Sequence, residues 1–353
     1  MAKKIKIGNK FIGEKEPVFI IAEAGVNHNG DLKTALKLID AAAAAGADAV
    51  KFQTFKAEEV VAGAGEMAEY QKKNIGKNES QLAMLKKLEL PENFYPPLLK
   101  RCDEKKIIFF FFPHGGFNSV DLLERLKVPA FKFGSGDLTN LPVLEYAAKF
   151  NKPMILATGM ATLAEARTAI KAIEKTGNRK IILLHCTTNY PCPLNEVNLR
   201  AMLTMKKNLS ALIGYSDHTN GIQVPIMAAT LGASMIEKHF TLDKNMPGPD
   251  NKASLDPAEL KKMVEAIRQI NIILGASVKK PTAGERRLTK IARKSLVSLK
   301  AIGKGDKLTI KNIGIKRPGN GLAPKYYYEV IGRVAKKDIP ADVLIKKSHY
   351  GKR

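Results

Sequence analysis

Residues 211–239 read ALIGYSDHTNGIQVPIMAATLGASMIEKH, and this stretch decides the fold. An apolar run at 211–214 ends in Ser216, Asp217 and His218; a helix-like stretch at 221–231 follows; a second apolar run at 234–236 ends in Glu237, Lys238 and His239. That is one strand–helix–strand unit with polar groups at the carboxyl end of each strand. In a parallel barrel this is the end that carries chemistry. Two imidazoles converging there with open positions suggest a divalent metal.

Working outward, strand-like runs fall at 18–22, 49–52, 107–112, 130–133, 154–157, 181–184, 211–214 and 234–236. They are continuous rather than alternating, as in a parallel sheet covered on both faces. Helical stretches lie between them, the first with Leu32, Ala35, Leu36 and Ile39 on one face, and later ones at 118–126, 141–148, 162–174, 198–205, 221–231 and 256–273. Eight strand–helix units point to an α/β chain with a (β/α)8 TIM barrel. A doubly wound open sheet is the alternative, weakened because no GxGxxG loop follows the first strand. A long loop, 54–91, is expected to shape the barrel mouth. After about residue 275 the pattern breaks. We expect a barrel domain over 1–275, a basic linker over 276–294, and a small β-rich domain over 295–353 with strand-like pieces at 295–299, 303–306 and 317–321.

The chain has 353 residues, 45% of them hydrophobic, enough for a large core. Three cysteines argue against a disulfide framework and for a reducing, cytoplasmic setting. The N-terminal stretch shows no secretory h-region, and no apolar run approaches the roughly 18 residues that span a membrane. Lys+Arg 58 against Asp+Glu 34 gives +24. The lysines are scattered without a basic aromatic stripe, so nucleic acid is not the expected partner. The positive field suits a phosphorylated, carboxylated small molecule.

Polar residues gather at the same end of nearly every strand: Glu23, Asn27 and His28; Lys51 and Gln53; Lys132, Ser135 and Asp137; Thr158; His185, Cys186, Thr188 and Tyr190; then the two histidine clusters. Unpaired charges are costly to bury, so one site at the barrel mouth is the economical explanation. Lys51 and Lys132 supply cationic donors, and Ser135, Ser216 and Thr158 hydroxyl donors. Glu23 and Asp137 can serve as acid, base or hydroxyl acceptors. A structural ion pair of Lys51 with Glu23 is the plainer alternative. Cys186 is expected to be a buried small residue rather than a nucleophile, and His28 and His114 to be solvated loop residues.

These stretches resemble the sialic-acid (N-acetylneuraminate/legionaminate) synthase family. The resemblance rests on AEAGVNHNG (22–30), AVKFQT (49–54), LHCTTNYP (184–191), GYSDHT (214–219), EKHFTLD (237–243) and GPD (248–250). KRPGNG (316–321) resembles the antifreeze-like SAF domain. The resemblance implies condensation of phosphoenolpyruvate with an N-acyl hexosamine and water, giving phosphate and a nine-carbon 2-keto acid. It implies His218 and His239 as ligands of Mn2+ or Mg2+, and Lys51, Lys132, Ser135, Ser216 and the Thr158 neighbourhood as the phosphoenolpyruvate pocket. Glu23, Asp137, Tyr190 and Asp250 would contact the sugar, with Gln53 and Thr188 as further substrate contacts. Arg317 would reach a partner's site in a domain-swapped homodimer. The chain departs from the family pattern at Phe111-Phe112-Pro113-His114, where Ser-Thr-Pro is usual, and at Asp137, Ala157 and Asn251, where glutamate, serine and histidine are common. The other readings left open are another phosphoenolpyruvate-dependent aldol-type synthase and a catalytically weakened carbohydrate-binding barrel.

Overall fold

The computed structural model describes residues 4–62, 65, 67, 71, 72 and 80–351, and part of the 54–91 loop lies outside them. The first strands form a hairpin, β1 (Lys4–Ile7) and β2 (Lys10–Gly13), which the sequence reading did not anticipate. Eight parallel strands follow: β3 (Phe19–Gly25), β4 (Ala49–Thr54), β5 (Ile108–Pro113), β6 (Phe131–Phe133), β7 (Met154–Ala157), β8 (Ile181–Cys186), β9 (Leu212–Asp217) and β10 (Met235–His239). Their order is β5-β4-β3-β10-β9-β8-β7-β6, and the terminal pair, β5 and β6, lie side by side. The sheet is therefore a nearly closed barrel, not a doubly wound open sheet.

Side chains alternate between the two faces of each strand. One parity faces the surrounding helices and joins the large outer core. The other fills the barrel with Phe19, Ile21, Ala49, Phe110, Ile155, Ile182, Leu184, Leu212 and Met235, together with Ile5, Ile7 and Ile12 of the hairpin. The hairpin thus supplies apolar residues to the interior. It is tied in through buried Asp48, which pairs with Lys10 and accepts from Ile20 N at 2.7 Å and Arg268 Nη2 at 2.7 Å. Two residues further along the inward face, Glu23 follows Ile21, Lys51 follows Ala49, Lys132 follows Ala130 and Glu237 follows Met235, and there the site begins.

The helices form where apolar residues recur at helical spacing. Leu163–Lys175 buries Ala166, Ala169, Ile170 and Ile173, and it starts one residue later than expected because Thr162 is its cap, in a capping box with Glu165. In Leu32–Ala44 the buried face is Ala35, Leu38, Ile39 and Ala42, with Leu32 and Leu36 partly buried against the same core. Among the described residues, no helix is long and apolar enough to cross a membrane.

The chain divides into two units, Met1–Leu274 and Gly275–Arg353. The second pairs β11 (Ser295–Ser298) with β12 (Ile313–Lys316) antiparallel around Leu296, Ile302, Leu308, Ile313, Val330, Ile339 and Ile345. Residues 303–306 and 317–321 are turns, not strands. The segment read as linker contains a helix, Ala283–Ala292, started by a Thr282–Glu285 capping box.

Candidate active site

Four strands bring a charged floor together inside the barrel. Parallel register places Glu23 beside His239 on one side and Lys51 on the other, and Glu237 beside Ser216. Lys51 Nζ lies 3.2 Å from Glu23 Oε1 and 3.5 Å from Glu237 Oε2; Lys132 Nζ lies 3.1 Å from Glu237 Oε1. Ser216 Oγ donates to Glu237 Oε1 at 3.0 Å. All five residues are buried. Two carboxylates and two ammoniums balance in charge, which is what permits such burial.

The two carboxylates differ. Burial and the repulsion of Glu237 outweigh the pull of Lys51 and raise Glu23 to about 7. Burial also opposes charge on Glu237, but Lys132 and Lys51 together outweigh it and lower Glu237 to about 2. Glu237 is the fixed anion and Glu23 the group that titrates. Among the described residues, Glu23 Oε2 is buried without a hydrogen-bond partner. Gly25 follows with φ +54°, where the β3–β4 register slips, and a side chain there would approach Glu23 Oε1 to 3.4 Å.

Glu237 was not assigned a role from sequence. Its signal was parity: with His239 inward, Glu237 two residues earlier must also point inward. Lys238, between them, points into the helical layer, where it pairs with Asp217 at 2.5 Å. Parity also separates His185, which bonds Val197 O at 2.9 Å, from Cys186, whose Sγ lies 3.8 Å from His218 Nδ1.

The His218 and His239 rings stand with centroids 5.5 Å apart, and Tyr190 stacks on His218 at 4.0 Å. His218 Nδ1 donates to Thr187 O at 2.7 Å. Burial, with His218 and Lys51 nearby, holds His239 well below the ordinary histidine value, so it is neutral; its Nδ1 is buried and unpartnered. Among the described residues no group of three or more His, Cys, Asp or Glu could enclose a metal ion.

A cavity of about 260 Å³ opens above this floor. Gln53, Ser135, Thr188, Tyr190, His239 and Asp250 line its polar side. Asp250 is raised to about 6 by burial, against the pull of His218. Val26, Val60, Met84, Leu85 and Leu88 form an apolar wall, and Phe112 and His114 also line the cavity. Gly159 is required where it sits: a Cβ would come within 2.1 Å of Thr188 Oγ1 and 2.6 Å of Ser135 Oγ.

Thr158, Asp137, His28 and Asn251 are not among the residues lining this cavity. The Thr158 hydroxyl is committed to Leu184 O at 3.0 Å. Asp137 stands 3.7 Å from His114 Nδ1. Arg317 is exposed in the second unit. His28 is fully buried rather than solvated, and burial lowers it to about 4. Asn251 is buried and held by Thr241 and Pro247.

The chain matches the NeuB family over residues 38–279 and the SAF domain over 293–350. It is 48% identical to N,N'-diacetyllegionaminic acid synthase of Campylobacter jejuni over 330 residues, 93% of this chain and 98% of that one. Among solved structures, it is similar to the sialic acid synthetase of Leptospira borgpetersenii, in complex with citrate, with TM-score 0.71, 37% identity, and coverage of 81% and 95% of the two chains. It is similar to the spore coat polysaccharide biosynthesis protein SpsE of Bacillus subtilis with TM-score 0.68, 37% identity, and coverage of 99% and 100%. A barrel whose charged floor sits under a histidine pair, joined to an SAF domain and matched over this length, places the chain in the NeuB family.

Proposed function

We propose that this chain condenses phosphoenolpyruvate with an N-acyl hexosamine and water, releasing phosphate and a nine-carbon 2-keto acid. The observation that carries this reading is the pair of buried ammoniums, Lys51 and Lys132, close to a cavity lined by Ser135, Tyr190 and His239, with His218 stacked behind Tyr190. A trianionic substrate needs such cations in a site sheltered from water. The apolar wall of Val26, Met84, Leu85 and Leu88 favours an acceptor rich in methyl groups. That suits the diacetamido-trideoxy hexose of legionaminate synthesis better than N-acetylmannosamine, in keeping with the Campylobacter relative's name.

In this reading Lys51, Lys132, Ser135 and Ser216 hold the phosphate and carboxylate, while Gln53, Thr188, Tyr190 and Asp250 hold the sugar. A Mn2+ or Mg2+ ion on His218 and His239 would supply Lewis acidity at the sugar aldehyde. The enol carbon bonds to the aldehyde carbon, leaving positive charge on the phosphate-bearing carbon. Water adds there and phosphate departs. Glu23, with one oxygen unpartnered, orients that water and takes its proton. Its value near 7 sets the sign of the pH response. The carboxylate form grows as pH rises through 7, so kcat/KM should rise across pH 6–8. A flat profile over that range would count against Glu23 as the base.

Arg317 would complete the site of a partner copy in a domain-swapped homodimer. Arg317→Ala and Lys51→Ala proteins, each inactive alone, should then regain partial phosphate release when mixed and refolded together. Absence of recovery would leave Arg317 without this role.

A further inference from the structure

The side of the cavity between β5 and β6 departs most from a plain anion seat. Phe112 points inward there, its ring centroid 5.5 Å from Lys51 Nζ and 5.9 Å from Lys132 Nζ. The ring screens both ammoniums from this side and offers a phosphate no hydrogen bond. Immediately above it the His114 ring lies 4.6 Å away and tilted by only 33°. Phe55 meets His114 edge-on at 6.2 Å. The imidazole is thus held by two aromatic rings.

Its Nδ1 is turned to Asp137 Oδ2 at 3.7 Å, and neither atom has a hydrogen-bond partner among the described residues. A small rotation closes that contact, as catalytic hydrogen bonds tighten on ligand binding. With Nδ1 facing Asp137, Nε2 is the nitrogen left for the cavity. Opposite stands the turn after β6. A Cβ on Gly136 would meet no atom within 4 Å, so the cavity reaches its backbone. Ser135 Oγ accepts from Gly159 N at 3.0 Å and lies 3.5 Å from Cys186 Sγ.

We propose that His114, held by Phe112 and Asp137, donates a hydrogen bond to the phosphate of phosphoenolpyruvate and so sets this chain's affinity for that substrate. The inference rests on the synthase reading for the identity of the ligand. The alternative duty, holding the sugar, is less suited to a group stacked directly over the Lys51–Lys132 floor. Asp137 is a positioning residue: it accepts from Nδ1–H and so aims Nε2 at the cavity, and the ring that donates to carboxylate and phosphate together is the one carrying a proton on each nitrogen.

The test is calorimetric titration of phosphoenolpyruvate, with Mn2+ present, into the full-length wild type, His114→Ala and His114→Gln, alongside the KM for the sugar. The alanine variant should bind phosphoenolpyruvate tenfold or more weakly. Glutamine, which keeps an N–H donor, should recover most of that loss, and the sugar KM should stay within twofold. An alanine variant that binds phosphoenolpyruvate as wild type does overturns the inference, as does one that loses both substrates in proportion. A wild type that binds phosphoenolpyruvate through His114 yet releases no phosphate upholds it and overturns the synthase reading. A wild type that binds none overturns both.

Discussion

His239→Ala should lose metal-dependent phosphate release by a hundredfold or more, while keeping its fold. The size follows from what a cation supplies to a carbonyl, several kcal/mol, each 1.4 kcal/mol being about tenfold in rate. Stability should change little by comparison, because the His239 Nδ1 is already buried without a partner and its loss strands no other group. His218 is a different case: its Nδ1 holds Thr187 O, so His218→Ala should cost both activity and loop order. Two measurements separate these effects: Mn2+ titration of the apo protein, and phosphate release before and after chelation. Full activity in His239→Ala would remove the histidine pair from the chemistry.

Glu237→Gln should destabilise the protein by roughly 3–5 kcal/mol, the usual cost of breaking a buried ion pair from one side. Two ammoniums lean on this carboxylate, and Ser216 donates to it. Removing its charge leaves Lys132, already lowered by burial, with no carboxylate partner, so it should bind as the neutral amine. Phosphoenolpyruvate affinity should fall with it. The pH dependence has a definite sign. Glu237 is held at about 2 against an ordinary 4.5, so its contribution is present above about pH 4.5 and is lost as pH falls towards 2. Urea unfolding of wild type and variant at pH 7 and again at about pH 2.5 measures both quantities. A change within 1 kcal/mol at pH 7 would mean the floor is solvated rather than sealed.

The barrel was legible because its apolar runs are long enough to exceed any alternative. The strand ends were not. Glu23, Gln53, Cys186, Asp217 and His239 all continue their strands, whereas hydrophobicity stops two or three residues earlier. A strand whose last inward residues line a site reads as a loop. The same two-residue period hid Glu237 beside a lysine that points the other way. The hairpin was legible in principle: Lys4-Ile5-Lys6-Ile7 alternates and Gly8-Asn9 makes a turn. In the SAF domain the core comes from scattered single bridges as much as from β11 and β12, and local pattern cannot show such pairing. The polar set at the mouth was largely found, since chemistry concentrates charged types where packing would exclude them. Whether a hydroxyl is already spent, as for Thr158 on Leu184 O, depends on neighbours from other strands.

The most direct test is one reaction panel. Phosphoenolpyruvate, the diacetamido-trideoxy hexose and Mn2+ are incubated with the protein, then each is left out in turn, with phosphate and product mass read together. The expected result is stoichiometric phosphate and a nine-carbon 2-keto acid only when all three are present, with N-acetylmannosamine a poorer acceptor. Phosphate release that ignores the sugar, or sugar binding with no new carbon–carbon bond, would contradict it.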